Sequence, residues 1–285
     1  MTDIRLFGYS DPLAAKLTHT VDFKISAEGT TEASIEIVRL VHGDYNPKGP
    51  GFIEEPITTD LPKCIGVKRQ YTQNGAFARV KDEHALLSPK GAFSVFAFIW
   101  PSLPGKARQT IMGSWNVNNS KGYGLGINPE GRLEFWVGDG KNVDQVTADI
   151  PLVPKVWVLA GASYDPVTGE ARLIQINVQN AWNSHIGPVT PYDHNCHVVE
   201  TLRVKPAASE GDFYLAGAQE HNPERGNFVS LLYNGKIDRS GIMERALTAA
   251  DMANIAKGTV PSGALAYWDT TAGYTDQGIG NVIQD

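Results

Sequence analysis

The densest group of potentially reactive side chains lies in the string HGDYNPKGPGFIEE, residues 42–55 of the 285-residue chain. His42, Asp44, Glu54 and Glu55 are residue types that bind metal ions or transfer protons. Two prolines and three glycines indicate a rigid loop at the end of a strand, where functional residues often lie. A structural role is favoured, because histidine and aspartate side chains also hold loop backbones in place.

A candidate calcium site lies in the stretch GDGKNVD, residues 138–144. Asp139, Asn142 and Asp144 offer the oxygen ligands that Ca²⁺ prefers, and Asp165 and Asp238, which follow strands, are further candidates. The spacing matches a calcium loop only loosely and lacks a bidentate glutamate. A solvent-exposed turn is therefore the favoured interpretation.

The stretch YDHNCH, residues 192–197, has the composition of a metal site, and Trp182 is a residue type that stacks on sugar rings. The stretch shows no helical pattern that would bring His194 and His197 onto one face, so a metal is disfavoured. Cys64 and Cys196 belong to no CxxC motif, and free thiols are favoured over a single bridge.

Composition and motif searches exclude several function classes. A net charge of −6 and a pI near 5.7 argue against nucleic acid and anionic membranes as partners. No run of 18 apolar residues and no signal-peptide pattern is visible, so the sequence predicts a cytoplasmic location. Serine-hydrolase, zinc-protease and nucleotide-binding motifs are absent. Glu54 and Glu55 are adjacent and would point to opposite faces of a strand, unlike paired glycanase carboxylates.

The element that must organise the fold is GAFSVFAFIWP, residues 91–101. Both alternating sets of side chains are apolar, which predicts a central strand buried on both faces and ended by Pro101. Further strands are predicted at residues 4–9, 21–25, 34–41, 68–73, 76–80, 109–115, 123–127, 132–137, 156–164, 171–178, 213–217, 227–233, 236–242 and 264–268. Asn74-Gly75 predicts a tight hairpin. One helix is predicted after Thr248, with Asp251 completing a capping box.

The order of these elements resembles the laminin-G/pentraxin, or concanavalin A-like, jelly-roll family. The resemblance rests on residues 92–101, on 123–127 with 131–135, on 155–165, and on YNGKID followed by RALT at 233–238 and 245–248. It implies an all-β jelly-roll sandwich with one short helix, preceded by a small N-terminal β segment. The predicted divisions are an N-terminal segment at 1–86, the jelly roll at 87–270, and a tail at 271–285 that continues into a further domain.

A second resemblance covers nearly the whole chain. The strings VRLVHGD, NP, GPGF and EE at residues 38–55, GYSD at 8–11 and AYWD at 266–269 look like the N-terminal part of N,N-dimethylformamidase large subunits. Such subunits pair with a small subunit and hydrolyse N,N-dimethylformamide to dimethylamine and formate. They do so with a mononuclear iron that tyrosines and a glutamate hold in a downstream α/β domain.

The second resemblance implies a non-catalytic chain in a cytoplasmic, iron-dependent amidohydrolase. Its partners would be the downstream catalytic domain and the small subunit, with higher oligomers left open and no nucleic acid or membrane involved. No catalytic residue and no cofactor is assigned to this chain, and the docking loop is predicted at His42, Asp44, Asn46, Glu54 and Glu55. The alternative is a carbohydrate-binding or calcium-dependent lectin-like module.

Overall fold

The computed structural model describes residues 3–178, 194–276, 280, 282 and 283. Contacts divide the chain into two compact units, Met1–Thr72 and Gln73–Asp285. The first unit is called the ribbon unit and the second the sandwich unit. The domain boundaries predicted at residues 86 and 270 remain predictions.

The ribbon unit consists of three antiparallel two-stranded ribbons. Its strands are β1 (Arg5–Asp11), β2 (Asp22–Glu28), β3 (Glu32–Ser34), β4 (Val38–Gly43), β5 (Phe52–Pro56) and β6 (Cys64–Gly66). They pair as β1 with β2, β3 with β6, and β4 with β5. A lone ribbon has too few neighbours to form a core, and Ala27 is the one fully buried apolar side chain among the described residues of this unit.

The sandwich unit contains two sheets and, in the described residues, one α-helix. Its elements are β7 (Ala78–Val80), β8 (Phe93–Pro101), β9 (Gln109–Asn116), β10 (Lys121–Ile127), β11 (Arg132–Asp139), β12 (Val143–Pro151), β13 (Val158–Tyr164), β14 (Glu170–Asn177), β15 (Cys196–Thr201), β16 (Phe213–Leu215), β17 (Ala218–Asn222), β18 (Gly226–Ser230), β19 (Gly235–Met243), α1 (Ala249–Ala256) and β20 (Ala264–Trp268). One sheet has the order β12-β11-β10-β9-β16-β7, with β17 and β18 attached at β9. The other sheet has the order β15-β14-β13-β8-β19-β20. The predicted jelly-roll sandwich is confirmed.

Strand β8 lies between β13 and β19 and is buried on both faces, as its sequence predicts. Phe93, Val95 and Ile99 point into the main core between the two sheets. Phe96 and Phe98 point to the opposite face, where they pack in a second cluster with side chains of α1. The helix covers this second apolar face because one β-sheet layer cannot bury both faces of the strand.

The helix begins as predicted. The Thr248 hydroxyl accepts from the backbone N–H of Asp251, and the Asp251 carboxylate accepts from the backbone N–H of Thr248. This capping box satisfies two N–H groups that would otherwise lack partners. It fixes α1 over the second cluster through buried Met252 and Ile255.

Close packing also explains a run of alternate glycines in β10. The indole ring of Trp136 lies so close to Gly124 and Gly126 that a Cβ at either position would approach the ring within 3 Å. Trp115 meets Trp136 edge to face, with ring centroids 6.1 Å apart. The outer face of this sheet is thus covered by its own tryptophans. The glycines have no Cβ and therefore leave room for the indole rings.

Two local predictions are wrong. The strand predicted at 68–73 is absent and Asn74-Gly75 forms no hairpin, because the Gln73 side chain donates to the Val229 carbonyl at 3.0 Å and β7 pairs with β16 instead. The single strand predicted at 34–41 is broken, because its start pairs with β6 and the part from Val38 pairs with β5. In both places a distant partner outweighs the local pattern.

Candidate functional site

The string 42–55 folds as a β-hairpin rather than a free loop. In the β4–β5 ribbon, His42 lies opposite Ile53 and Leu40 lies opposite Glu54, with a bulge at Val41 between them. The tip comprises residues 44–51, where two prolines and the positive φ of Gly51 (87°) reverse the chain. The predicted docking residues are therefore held on one local element.

The polar side chains of the hairpin are committed to its backbone. His42 Nδ1 lies 2.7 Å from the Gly51 carbonyl, which it contacts as a donor. Asp44 Oδ1 accepts from the N–H of Asn46 at 2.9 Å, and Asn46 Oδ1 accepts from the N–H of Lys48 at 3.1 Å. These bonds build successive side-chain-capped turns, so His42, Asp44 and Asn46 shape the tip.

Glu54 and Glu55 do not converge with these residues on a reaction centre. Both are exposed, and as neighbours on β5 they point to opposite faces. Among the residues that the structure describes, no three His, Cys, Asp or Glu side chains are grouped so as to hold a metal ion. The hairpin thus carries charge and shape but no arrangement of acid, base or ligand groups.

The hairpin also carries exposed aromatic side chains at its tip, between the charged residues. The rings of Tyr45 and Phe52 stack across the hairpin, with centroids 4.8 Å apart and planes 10° apart. They are 79% and 41% exposed, and Leu40, Val41 and Ile53 on the flanking strands are exposed as well. This surface was missed by sequence reasoning, although both aromatics are visible in the string. We call the stacked pair of Tyr45 and Phe52 the hairpin patch.

Exposed apolar side chains are concentrated in the whole ribbon unit. Of the 24 large apolar side chains that are exposed among described residues, 15 lie between Ile4 and Leu61. On β1 and β2 they occupy both faces: Leu6 with Phe23 on one, Phe7 with Tyr9 on the other. A soluble surface seldom shows so many apolar side chains together unless it binds a partner.

The candidate calcium residues lie at the β11–β12 turn, and their oxygens are occupied. Asp139 Oδ1 accepts from the N–H groups of Lys141 and Asn142, each at 2.7 Å. Asp144 Oδ2 accepts from the N–H of Arg203 at 2.7 Å, which ties β12 to the segment after β15. The geometry is that of turn-stabilising carboxylates.

This turn yields a prediction about pH. The N–H groups of Asn142 and Lys141 hold the pKa of Asp139 below its ordinary value of 3.8. A carboxyl whose pKa is depressed on folding contributes stability that is present above the unfolded pKa and lost as pH falls through the folded one. We expect D139A to lower the melting temperature at neutral pH, and the difference from the native chain to shrink below pH 3.8.

D139N is the matched control, because its amide oxygen still accepts the two bonds. It should keep most of the melting temperature at neutral pH. We expect added Ca²⁺ to leave the melting temperature of both chains unchanged. A rise with Ca²⁺ in the native chain that D139N abolishes would instead establish a calcium site.

The histidine- and cysteine-containing stretch gives no metal site in its described part. His194 and Asn195 precede β15, and Cys196 and His197 are paired in it with Gln175 and Ile174 of β14. Tyr192 and Asp193 of this stretch, and Trp182, the candidate for stacking on a sugar ring, lie outside the described residues. Both cysteines are free thiols, Cys64 exposed and Cys196 partly buried.

In the described part of the chain, no helix has the length and apolar character needed to cross a membrane.

Comparison with known proteins places these surfaces in context. No protein-family model matches the chain. Over 286 aligned residues it is 38% identical to the N,N-dimethylformamidase beta subunit of Alcaligenes sp and 37% identical to that of Paracoccus aminophilus. Each alignment covers 98% of this chain and 37% of the relative, so the chain spans little more than a third of their length. The resemblance to dimethylformamidase large subunits is confirmed.

Among solved structures, the chain is similar to a candidate carbohydrate-binding protein from Bacteroides ovatus, with a TM-score of 0.51 and 16% identity. The match covers 82% of this chain and 62% of that one. The LG4-5 domains of the mouse laminin alpha1 chain give a TM-score of 0.41 at 16% identity, over 62% of this chain and 41% of theirs. At such identities the likeness concerns the fold alone.

The iron that the sequence resemblance implies does not fit the residues described here. Burial raises the pKa values of the core tyrosines Tyr123 and Tyr233, which disfavours the phenolate that would bind a metal. No catalytic step is therefore assigned to this chain.

Proposed function

We propose that this chain is the non-catalytic β-sandwich region of a dimethylformamidase-like amidohydrolase large subunit, and that it serves domain docking and subunit assembly. The similarity to two such subunits along 98% of the chain supports the parent enzyme. Among the described residues, no three His, Cys, Asp or Glu side chains are grouped so as to hold a metal ion, which supports placing the iron outside this chain. Catalysis and iron would then belong to the remaining two thirds of the parent.

The observation that carries this proposal is the apolar surface of the ribbon unit. Its ribbons keep Phe7, Tyr9 and Phe23 more than 60% exposed. Leaving such side chains in water forgoes about 1.5–3 kcal/mol each relative to full burial. A partner that covers them gains that free energy, and the downstream domain and the small subunit of the parent are the partners proposed.

The hairpin patch is the part of this surface with the best-defined geometry. Stacking pre-orders Tyr45 and Phe52, so little side-chain entropy is lost when a partner pocket receives them. Aromatic anchors of this kind carry much of the binding energy in protein interfaces. The polar residues His42, Asp44 and Asn46 support docking indirectly by holding the tip in shape.

We therefore expect Y45S/F52S to weaken assembly of the native protein by at least about tenfold in Kd, given that interface anchors contribute ~2 kcal/mol or more. Light scattering measures the molar mass of the assembly as a function of concentration. The sample is the native polypeptide, as it occurs in the source cells, mixed with its partner subunit. K48S, at the same tip but outside the patch, is the control and should assemble normally. The double variant H42A/D44A should also weaken assembly, because the tip loses its internal bonds.

The division of labour has its own test. The purified 285-residue chain should release no dimethylamine from N,N-dimethylformamide and retain no iron after dialysis. The native assembly should release dimethylamine and retain iron. Dimethylamine release by the purified chain would overturn the proposal. The lectin-like alternative is supported by the fold likeness alone, and calorimetry against a glycan panel with and without Ca²⁺ distinguishes it, since only that alternative predicts binding heat.

A further inference from the structure

The ribbon unit contains an apolar pocket of about 480 Å³ between β2 and the segment that follows β6. We call it the ribbon pocket. Phe23 and Ile25, which lie on one face of β2, line it from one side. Ile65 and Val67 line it from the other side, together with Lys68. Pockets of about 300–1,000 Å³ receive groups of the size of a drug molecule, so the ribbon pocket has room for a pair of aromatic rings.

The pocket forms because β2 has a regular strand neighbour on one side only. Among the described residues, β2 belongs to a two-stranded sheet with β1. On its other side, the N–H of Ala27 donates to the Lys68 carbonyl at 3.2 Å, and the N–H of Gln70 donates to the Ser26 hydroxyl at 3.0 Å. The second bond uses a side chain where a sheet would use a carbonyl. No ladder therefore continues toward Phe23, and the apolar side chains there border a recess.

The hairpin patch and the ribbon pocket carry opposite charges. Lys68 is exposed and brings a positive charge to the pocket. The hairpin patch is flanked by exposed carboxylates, because Asp44 precedes Tyr45 in the chain and Glu54 lies on the same face of β5 as Phe52. An aromatic projection with acidic neighbours thus occurs in the same unit as an apolar recess with a basic neighbour.

The hairpin patch of one chain does not fill the ribbon pocket of that same chain. No described residue of the β4–β5 hairpin lines the pocket, and Tyr45 is 79% exposed. A second copy of the chain supplies the complementary part for each surface. In a two-fold arrangement both surfaces are used twice, and the contact closes on itself as a dimer.

We infer that two copies of this chain bind each other through their ribbon units, with the hairpin patch of each copy in the ribbon pocket of the other. Glu54 of one copy and Lys68 of the other form an ion pair at the rim of each contact. This inference rests on the docking role proposed for the hairpin patch, and it names a second copy of the chain as the partner of that patch.

Sedimentation equilibrium of the full 285-residue chain, without any other subunit, tests the contact. The chain should form dimers of twice 30.9 kDa, and a dilution series gives their Kd. Y45S/F52S should raise this Kd at least about tenfold, because aromatic anchors carry much of the binding energy in interfaces. F23S should raise it as well, from the side of the pocket. K48S, at the hairpin tip but outside the patch, is the control and should keep the native Kd.

An exchange of charges separates the contact between copies from any loss of folding. E54K and K68E should each raise the Kd several-fold, because each variant brings like charges together across the contact. The double variant E54K/K68E restores opposite charges and should return the Kd close to its native value. E36K, at an exposed position of the same unit outside both surfaces, is the matched control and should leave the Kd unchanged.

A chain that stays monomeric throughout the dilution series would overturn the inference. A dimer whose Kd is the same with Y45S/F52S, or a double variant E54K/K68E that binds no better than its single variants, would overturn it too. Failure of the proposed docking role itself would be seen in a different sample, as normal assembly of Y45S/F52S with the partner subunit in the native protein.

Discussion

A chain that begins at Gln73 is expected to fold as the complete sandwich and to lose all association with the rest of the native assembly. Every fully buried apolar side chain among the described residues, except Ala27, lies between Leu87 and Trp268. Folding of the sandwich therefore has its own hydrophobic driving force. The surface assigned to docking, in contrast, is removed entirely with the ribbon unit.

Two measurements check this expectation. The shortened chain should keep the cooperative thermal transition of the sandwich in tryptophan fluorescence, and the native polypeptide lacking residues 1–72 should elute without its partner subunit. The triple variant F7S/Y9S/F23S separates the loss of apolar surface from the loss of the whole unit, and it should reproduce the failure to assemble. Normal assembly of the polypeptide without residues 1–72 would contradict the docking role proposed for the ribbon unit.

Replacing Phe96 with alanine should cost about 3–5 kcal/mol of unfolding free energy, the upper range for large-to-small core changes. Phe96 is fully buried on the central strand. Its ring lies against Gly241, where an added Cβ would come within 2.5 Å of the ring, and faces the Tyr267 ring at 6.3 Å. Because a glycine backbone has no side chain to move into the space, the cavity left by F96A cannot collapse.

Thermal unfolding followed by tryptophan fluorescence measures this cost, and for a unit of this size it corresponds to roughly a 10 °C fall in melting temperature. V199A is the control, because Val199 lies on the edge strand β15 and is 46% exposed. It should change the unfolding free energy by less than about 0.5 kcal/mol. Equal losses for F96A and V199A would contradict the central position assigned to β8.

The fold was predictable where burial leaves a mark on the sequence. Strand β8 is apolar on both faces except at Ser94, and a short run of this kind that ends in proline is typical of a buried central strand. The helix start was predictable for a local reason, since Thr248 and Asp251 satisfy each other within one turn. Elements whose signal is contained in their own residues were found.

Other strands were missed because pairing with neighbouring strands, and not the pattern of their own residues, determines where they form. β12 alternates only weakly, and its register is set by β11 and by the bond from Arg203 to Asp144. β15 lies in a stretch whose histidines and cysteine attracted a metal interpretation, and β17 is polar and attached to β9 at a single pair. Edge positions tolerate polar residues, so their pattern is faint.

The position of the candidate site was predictable from the sequence, but its apolar surface was not. The density of Gly, Pro and charge at residues 42–55 indicated a shaped element, and that element is a hairpin held by His42 and Asp44. The stacked pair of Tyr45 and Phe52 depends on cross-strand register, which the bulge at Val41 sets. A bulge changes which side chains face each other, and a sequence pattern of alternation does not reveal it.

The central claim is that these residues are the non-catalytic part of a larger enzyme subunit. The most direct measurement is the mass of the native polypeptide in its source cells, detected on a denaturing gel with an antibody raised against this chain. The account predicts a single species well above the 30.9 kDa of the chain itself. A native species at 30.9 kDa would contradict it.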